Sequence, residues 1–352
     1  MTQQKSVPAY LILEDGTVFH GRSMGKSGTS IGEVVFNTSD SSYEGLLSDP
    51  TYYGQIVVQT YPTAGCSGQD FRVMASGYIV REWTDVPDAD GLSLDAFLRQ
   101  KGIVGLCGVD TRRLTRMLRD GGYKKGVITN DISRKEEWIA QMKNYSITGA
   151  VRAVTIDQPQ EITIGQGSYC AVVLQYGSRT LCEQGLAAAG IGKLILLPAF
   201  ATAEQVQNYH PQAVILSDGP GDPDDDPAMI QTIQELTASG IPIFGYGLGH
   251  QMLAIACGMK CVKMEHAHRG ANQPVRDLET RRLMVTGQNH GYTVERTSVM
   301  PQTAEVMFEN VNDQTVEALA YHAFPALTVQ YEPEDQMIFE RFGAMLGGES
   351  NA

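Results

Sequence analysis

Basic residues are scarce in this chain, with 27 Lys plus Arg against 40 Asp plus Glu in 352 residues and a formal charge of −13. A surface of that sign gains nothing from counterion release, so nucleic acid is excluded as an expected partner. Long apolar runs are also lacking. None reaches the ~20 residues of a membrane helix, and the opening Met-Thr-Gln-Gln-Lys-Ser has neither the basic flank nor the apolar stretch of a secretory signal. Cysteine is sparse: six residues, at 66, 107, 170, 182, 257 and 261, with no CxxC spacing. That pattern excludes a cysteine zinc site and points to a reduced, cytoplasmic protein without a membrane partner. No internal repeat or low-complexity tract appears. What remains is ordinary globular composition, 42% hydrophobic and 19% charged. At ~150 residues per domain the length suits two domains.

The first part, residues 1–152, reads as mixed α and β. Residues 9–13, the turn Glu14-Asp15-Gly16 and residues 17–20 form an expected hairpin. Asp110 starts a helix with Leu114, Met117 and Leu118 on its apolar face and Gly121 at its end. Ser133 and Glu136 have the spacing of a capping box ahead of Trp138, Ile139 and Met142. Residues 153–168 hold Pro, Gly and repeated Gln with little amphipathic period and are expected to be a linker.

From residue 169 to 352 the pattern changes. Doubly apolar runs at 171–174, 193–197, 213–216 and 241–244 are long enough for buried strands. Helical patterns lie between them at 178–189, 202–210 and 227–239, the last with Asp226 as N-cap, Pro227 at the first position and Gly240 past the end. The fold class is therefore α/β, with a mainly parallel sheet flanked by helices behind a mixed α/β N-terminal domain. After about residue 258 short β segments are expected. In such sheets the working residues lie at the C-terminal strand ends.

The run at 241–244 leads into Gly245-Tyr-Gly-Leu-Gly249 and then a helical stretch, the layout of a nucleophile elbow. The turn lifts its middle residue above the sheet, and the next N–H, that of Leu248, opens a helix and suits an oxyanion. The chemistry requires Ser or Cys in the middle, and the residue is Gly247. A second glycine turn, Ser217-Asp-Gly-Pro-Gly-Asp-Pro223, follows the run at 213–216. Alone it is as readily a tight turn as a ligand loop; two such turns on neighbouring strands are more specific.

FGYGLGHQ (244–251), LSDGPGDP (216–223), GQNHGYTV (287–294) and VQYEPED (329–335) come in the order and spacing of the class I glutamine amidotransferase domain. LEDGTVFHGRSMG (13–25), residues 32–62 and DTRRLTRMLRDGG (110–122) resemble the other domain of the carbamoyl phosphate synthetase small subunit. The resemblance spans nearly the whole chain. It implies glutamine hydrolysis on this subunit, with ammonia passed to a large synthetase subunit for pyrimidine and arginine precursor synthesis. It also implies no cofactor on this chain, with ATP and Mg on the partner. Departures fall at the centre of the chemistry. Gly247 stands at the family's cysteine position and Glu332 at its general-base histidine; only the orienting carboxylate, Glu334, is kept. The family's Gly-x-Lys turn appears as Gly177-Ser-Arg179. Glutamine-holding positions are largely kept, as Thr51, Gly219, Gly221, Leu248, Gln251, Asn289, Gly291 and Tyr292.

Cys257 lies ten residues beyond Gly247, about 15 Å along a helix, and Cys261 lies further still, so neither replaces the nucleophile. Gly25-Lys26-Ser27 lacks the glycine of a phosphate loop, having His20 there instead. The acidic run Asp222 to Asp226 reads as a solvated loop, and His266 and His268 lack a third ligand, so no metal is expected. Glu332 and Glu334, two apart on an expected strand, share one face and suit a small cation such as ammonium better than glutamine; the equal alternative is that Glu332 turns to solvent or pairs with an Arg and the cleft is vestigial. Three functions remain: a non-hydrolysing subunit for an ammonia-using large subunit, a glutamine-binding sensor, or an active subunit of altered form.

Overall fold

The computed structural model describes residues 7–38, 43–60, 63–64, 72–83, 93–178 and 180–347. The chain forms two compact units, one of residues 1–147 with 265–270 and the other of residues 148–264 with 271–352.

The first unit contains the strands β1 (Pro8–Leu13), β2 (Val18–Gly25), β3 (Thr29–Asn37), β4 (Gln55–Gln59), β5 (Thr63–Ala64), β6 (Gly77–Val80), β7 (Glu82–Trp83), β8 (Val104–Cys107) and β9 (Lys124–Thr129). Seven of them close into a barrel in the order β1-β2-β8-β6-β4-β3-β9, while β5 and β7 pair separately. The expected hairpin is present: β1 and β2 run antiparallel, with Gly16 at a positive φ in the turn. Period-two alternation sends Leu11 and Leu13 to one buried cluster and Ile12 to another. The helix Thr111–Gly121 is capped by the Asp110 carboxylate and buries Leu114 and Leu118, with Gly122 supplying the positive φ just beyond it. The Ser133–Glu136 capping box does not form. Asp131 instead caps a short 3-10 turn over Ile132–Arg134, and the helix Lys135–Lys143 continues directly from it. The Ser133 hydroxyl donates to Asp131 Oδ1 at 2.6 Å, so it is turned back to the preceding carboxylate and away from Glu136.

In the second unit, β10 (Gln160–Thr163), β11 (Tyr169–Gln175), β12 (Ile191–Pro198), β13 (Ala213–Leu216), β14 (Ile243–Tyr246), β15 (Cys261–Asp277, apart from its residues 265–270), β16 (Leu283–Val294), β17 (Ala304–Asn310), β18 (Val316–Tyr321) and β19 (Ala326–Val329) form one sheet. Its order is β10-β12-β11-β13-β14-β19-β18-β17-β15-β16. The centre, β12-β11-β13-β14-β19, is parallel. Outside it, β10 joins antiparallel on one side, and on the other β19, β18 and β17 pair antiparallel in turn. The stretch 153–168 is thus more than a connector, since its residues 160–163 make the edge strand β10. β15 and β16 are far longer than the short segments expected after residue 258. Their many polar residues dilute the alternation by which a strand is recognised.

The central strands are apolar on both faces because both are covered. Val172, Leu174, Val214 and Leu216 point to a cluster with Ile233 and Leu253 from the helices Pro227–Thr237 and Leu248–Ala256. Ala171, Val173 and Ile215 point the other way, toward Leu186, Phe339 and Phe342 of the helices Glu183–Ala188 and Gln336–Leu346. Each large side chain so buried contributes roughly 1.5–3 kcal/mol. The N-cap Asp226 accepts from Ala228 N at 3.1 Å, as its spacing to Pro227 implied. No helix among the described residues is long and apolar enough to cross a membrane.

Candidate functional site

Parallel packing of β13, β14 and β19 brings three chain reversals to one sheet edge: Ser217–Pro223, Gly247 and the loop after Val329. The middle reversal is the elbow. Gly247 adopts φ 55° and ψ −118°, which L side chains rarely adopt, and Leu248 immediately opens the helix Leu248–Ala256. Gly247 N donates to Val329 O at 3.0 Å and Gly249 N to Ser217 O at 3.0 Å, locking the turn to both neighbours. A Cβ on Gly249 would strike the backbone of Leu216, so the helix seats against β13 only with glycine there.

The other glycine turn is fixed from below. Ser217 is buried; its hydroxyl accepts from Tyr176 N at 2.8 Å and donates to Asp218 O at 2.8 Å. The Asp218 carboxylate then accepts from Gly219 N at 2.8 Å and from Leu248 N at 2.8 Å. It lies where a Cβ on Gly247 would be. The two turns are therefore joined through one carboxylate oxygen, and the amide suited to an oxyanion already has an acceptor. Asp218 lies inside the glycine motif, where its adjacency to Gly219 is legible in the sequence; its reach to Leu248 depends on the β13–β14 register.

Gln251, buried one turn into the helix, donates through Nε2 to Tyr292 O at 2.9 Å and to Gln330 Oε1 at 2.9 Å. Tyr292 donates its hydroxyl to Asp222 Oδ2 at 2.8 Å. Gly219, Leu248, Gln251 and Tyr292 are thus brought together. Gly221 belongs to the same turn as Gly219, with φ +99°. Asn289 and Gly291 lie on β16 beside Tyr292, both partly buried. Thr51 belongs to the other unit, where Asp49 Oδ1 accepts from its N at 2.9 Å and its hydroxyl at 2.7 Å.

Glu332 and Glu334 are not on a strand, because β19 ends at Val329. The extended alternation nevertheless continues, with both carboxylates exposed and Pro333 buried between them. Pro333 itself has no N–H with which a ladder could resume. Both carboxylates act on Cys182, a residue no motif flags. Burial pushes the Cys182 thiol up, and the Glu332, Asp218 and Glu334 carboxylates add to it. Burial likewise raises the thiols of Cys170, Cys261 and Cys257, the last to about 11. No thiol described in this unit is therefore a ready thiolate near neutral pH. Cys257 caps the far end of the elbow helix, as the spacing implied.

His250 is fully buried, with Nδ1 2.8 Å from Thr328 Oγ1, and burial pulls its pKa down to about 3. It holds the helix to β19 as a neutral imidazole and is no proton shuttle. The acidic run behaves as a loop, with Asp222 Oδ1 accepting from Asp224 N at 3.0 Å. His266 is exposed and His268 buried on β15. Arg179 lies outside the described residues.

Residues 11–128 match the family model "Carbamoyl-phosphate synthase small chain, CPSase domain", and residues 178–340 match "Glutamine amidotransferase class-I". The carbamoyl phosphate synthase small chain of Listeria monocytogenes serotype 4b is 37% identical over 361 residues, covering 96% of this chain and 97% of its own. The chain belongs to the carbamoyl phosphate synthase small-chain family. The small chain of Bacillus caldolyticus is 41% identical, covering 92% of this chain and 90% of its own. The pyrimidine-specific small chain of Halalkalibacterium halodurans is 39% identical, with 97% of each covered. Family membership thus extends across both compact units, and the elbow with Gly247 falls within the amidotransferase match.

Proposed function

We propose that this chain serves as the small subunit of a carbamoyl phosphate synthetase without hydrolysing glutamine, and that its large-subunit partner uses ammonia. The observation that carries the reading is the elbow itself: the turn, the helix start and the N–H donors are built, and the residue lifted above the sheet is Gly247. Covalent amide hydrolysis needs a nucleophile, a base to deprotonate it and a route for the proton to the leaving ammonia. Glycine supplies no attacking atom, and the second unit's described thiols are held protonated by burial. The imidazole that would take the proton and return it is absent, and the exposed carboxylate of Glu332 stands in its place beside Glu334. These parts act as a unit, so losing one costs about as much as losing several, and restoring one alone recovers little.

The carboxylates Asp218, Glu332 and Glu334 around Cys182 also make the cleft unfavourable for the carboxylate of free glutamine. The small subunit's contribution is then docking and support of the synthetase subunit, which would hold ATP and Mg. A cytoplasmic location follows from that role. The test is to reconstitute the chain with a carbamoyl phosphate synthetase large subunit and compare glutamine with an ammonium salt as nitrogen source. Synthesis supported by ammonium and not by glutamine upholds the proposal; equal or faster synthesis with glutamine refutes it. Calorimetry with glutamine on the isolated chain separates this from the sensor reading, which requires micromolar binding.

A further inference from the structure

The elbow is not simply missing a side chain, because another side chain has taken the space. Asp218 is held by its backbone on two sides: its carbonyl accepts from Ser178 N at 2.9 Å and from the buried Ser217 hydroxyl at 2.8 Å. That anchoring aims the carboxylate across the turn, where Oδ1 accepts from Gly219 N and Leu248 N, both at 2.8 Å. Leu248 N is the first amide of a nine-residue helix, so the partial positive charge of the helix start adds to the attraction. Gly247 makes the arrangement possible, since a Cβ there would overlap the carboxylate.

We propose that Asp218 is the specificity-determining residue of this site: its carboxylate fills, from within the chain, the pair of N–H donors that a substrate carbonyl oxygen would need, and so closes the elbow to glutamine. This deepens the functional reading above and rests on it. The competition is unequal on physical grounds. An ionised carboxylate accepts charge-assisted hydrogen bonds about twice as strong as those to a neutral amide oxygen. It is also tethered at the site, whereas glutamine must be drawn from solution with its motion frozen. The closure is reciprocal as well: Gly247 lets Asp218 in, and Asp218 then leaves no room for a side chain at 247.

The test uses the full chain and L-glutamine as the probe, with binding followed by calorimetry and the Leu248 and Gly219 amide signals followed by NMR. The unmodified chain is expected to bind no glutamine at millimolar concentration. Asp218→Ser, which vacates the space, is expected to gain about tenfold or more in affinity, or ~1.4 kcal/mol. Glutamine should then shift the Leu248 amide in Asp218→Ser and leave it unmoved in the unmodified chain. Should Asp218→Ser not fold, Asp218→Asn keeps the shape and removes the charge. Its Leu248 amide proton is expected to move upfield as the charge-assisted bond is lost. An unmodified chain that binds glutamine as tightly as the variant overturns the inference. So does a variant that gains no affinity, or an Asp218→Asn amide that does not move. Hydrolysis of glutamine by the unmodified chain would instead sink the functional reading, a result these binding and NMR measurements do not mimic.

Discussion

Gly247 and Asp218 are mutually dependent: the glycine at the elbow leaves open the volume that the Asp218 carboxylate fills on its way to Leu248 N. Putting a thiol back therefore meets two obstacles at once. At φ +55° any L side chain is strained by about 1–3 kcal/mol, and its Cβ must also displace the carboxylate. Gly247→Cys is expected to lose at least that much stability in chemical denaturation. Gly247→Cys combined with Asp218→Gly should recover part of the loss, a non-additivity that a double-mutant cycle measures.

Activity should follow the same logic. Gly247→Cys, and Gly247→Cys with Glu332→His, are expected to leave glutamine turnover at background while Asp218 is present. The donors for the oxyanion stay occupied and the new thiol has no room. Glutamate release measured over hours checks this. Turnover from either variant would show that Asp218 yields its place easily.

The architecture was more legible than the site. Buried parallel strands announce themselves as runs apolar on both faces, so β11, β12, β13 and β14 are legible to within a few residues, as are the Asp226 cap and the elbow. β10 escaped because its residues Gln160-Glu-Ile-Thr163 sit at a sheet edge, where half-exposed polar side chains carry no periodic signal. The end of β19 before Glu332 escaped because alternation continues past the last ladder bond, and only pairing partners reveal where a strand stops. Asp218, Cys182 and Gln330 escaped for a third reason. Their roles are contacts with residues 30 to 150 positions away, and those distances are set by strand order. A motif records which residues are near in sequence, and a carboxylate bridging two turns leaves no trace there.

Gln251 and Gln330 provide a check on how tightly the site is held. Gln251→Leu removes the donor to Gln330 Oε1 and Tyr292 O, leaving a buried amide less satisfied than before. The expected cost is about 1–3 kcal/mol, read as a lowered Tm. A variant as stable as the original would mean that these bonds add little to the cleft.

The buried His250 gives the fold a distinct response to acid. Its folded pKa, about 3, lies below the ordinary value of 6.5, so below pH 6.5 the unfolded chain binds the proton first. The stability this group contributes is full above 6.5 and is lost progressively as pH falls toward about 3. Within that window it adds a slope of up to ~1.4 kcal/mol per pH unit. His250→Gln should flatten the stability profile there by that amount, relative to the unmodified chain, in denaturant titrations at several pH values. An unchanged slope would contradict a neutral, desolvated imidazole.

The origin of the nitrogen decides the central question most directly. Glutamine carrying heavy nitrogen in its side-chain amide, mixed with unlabelled ammonium, is supplied to the chain reconstituted with a large synthetase subunit, and the carbamoyl phosphate formed is weighed by mass spectrometry. Product free of the heavy nitrogen is expected, because Gly247 offers no attacking atom and Asp218 occupies the donors glutamine would need. Product enriched in the heavy nitrogen beyond what spontaneous glutamine breakdown supplies would contradict the account.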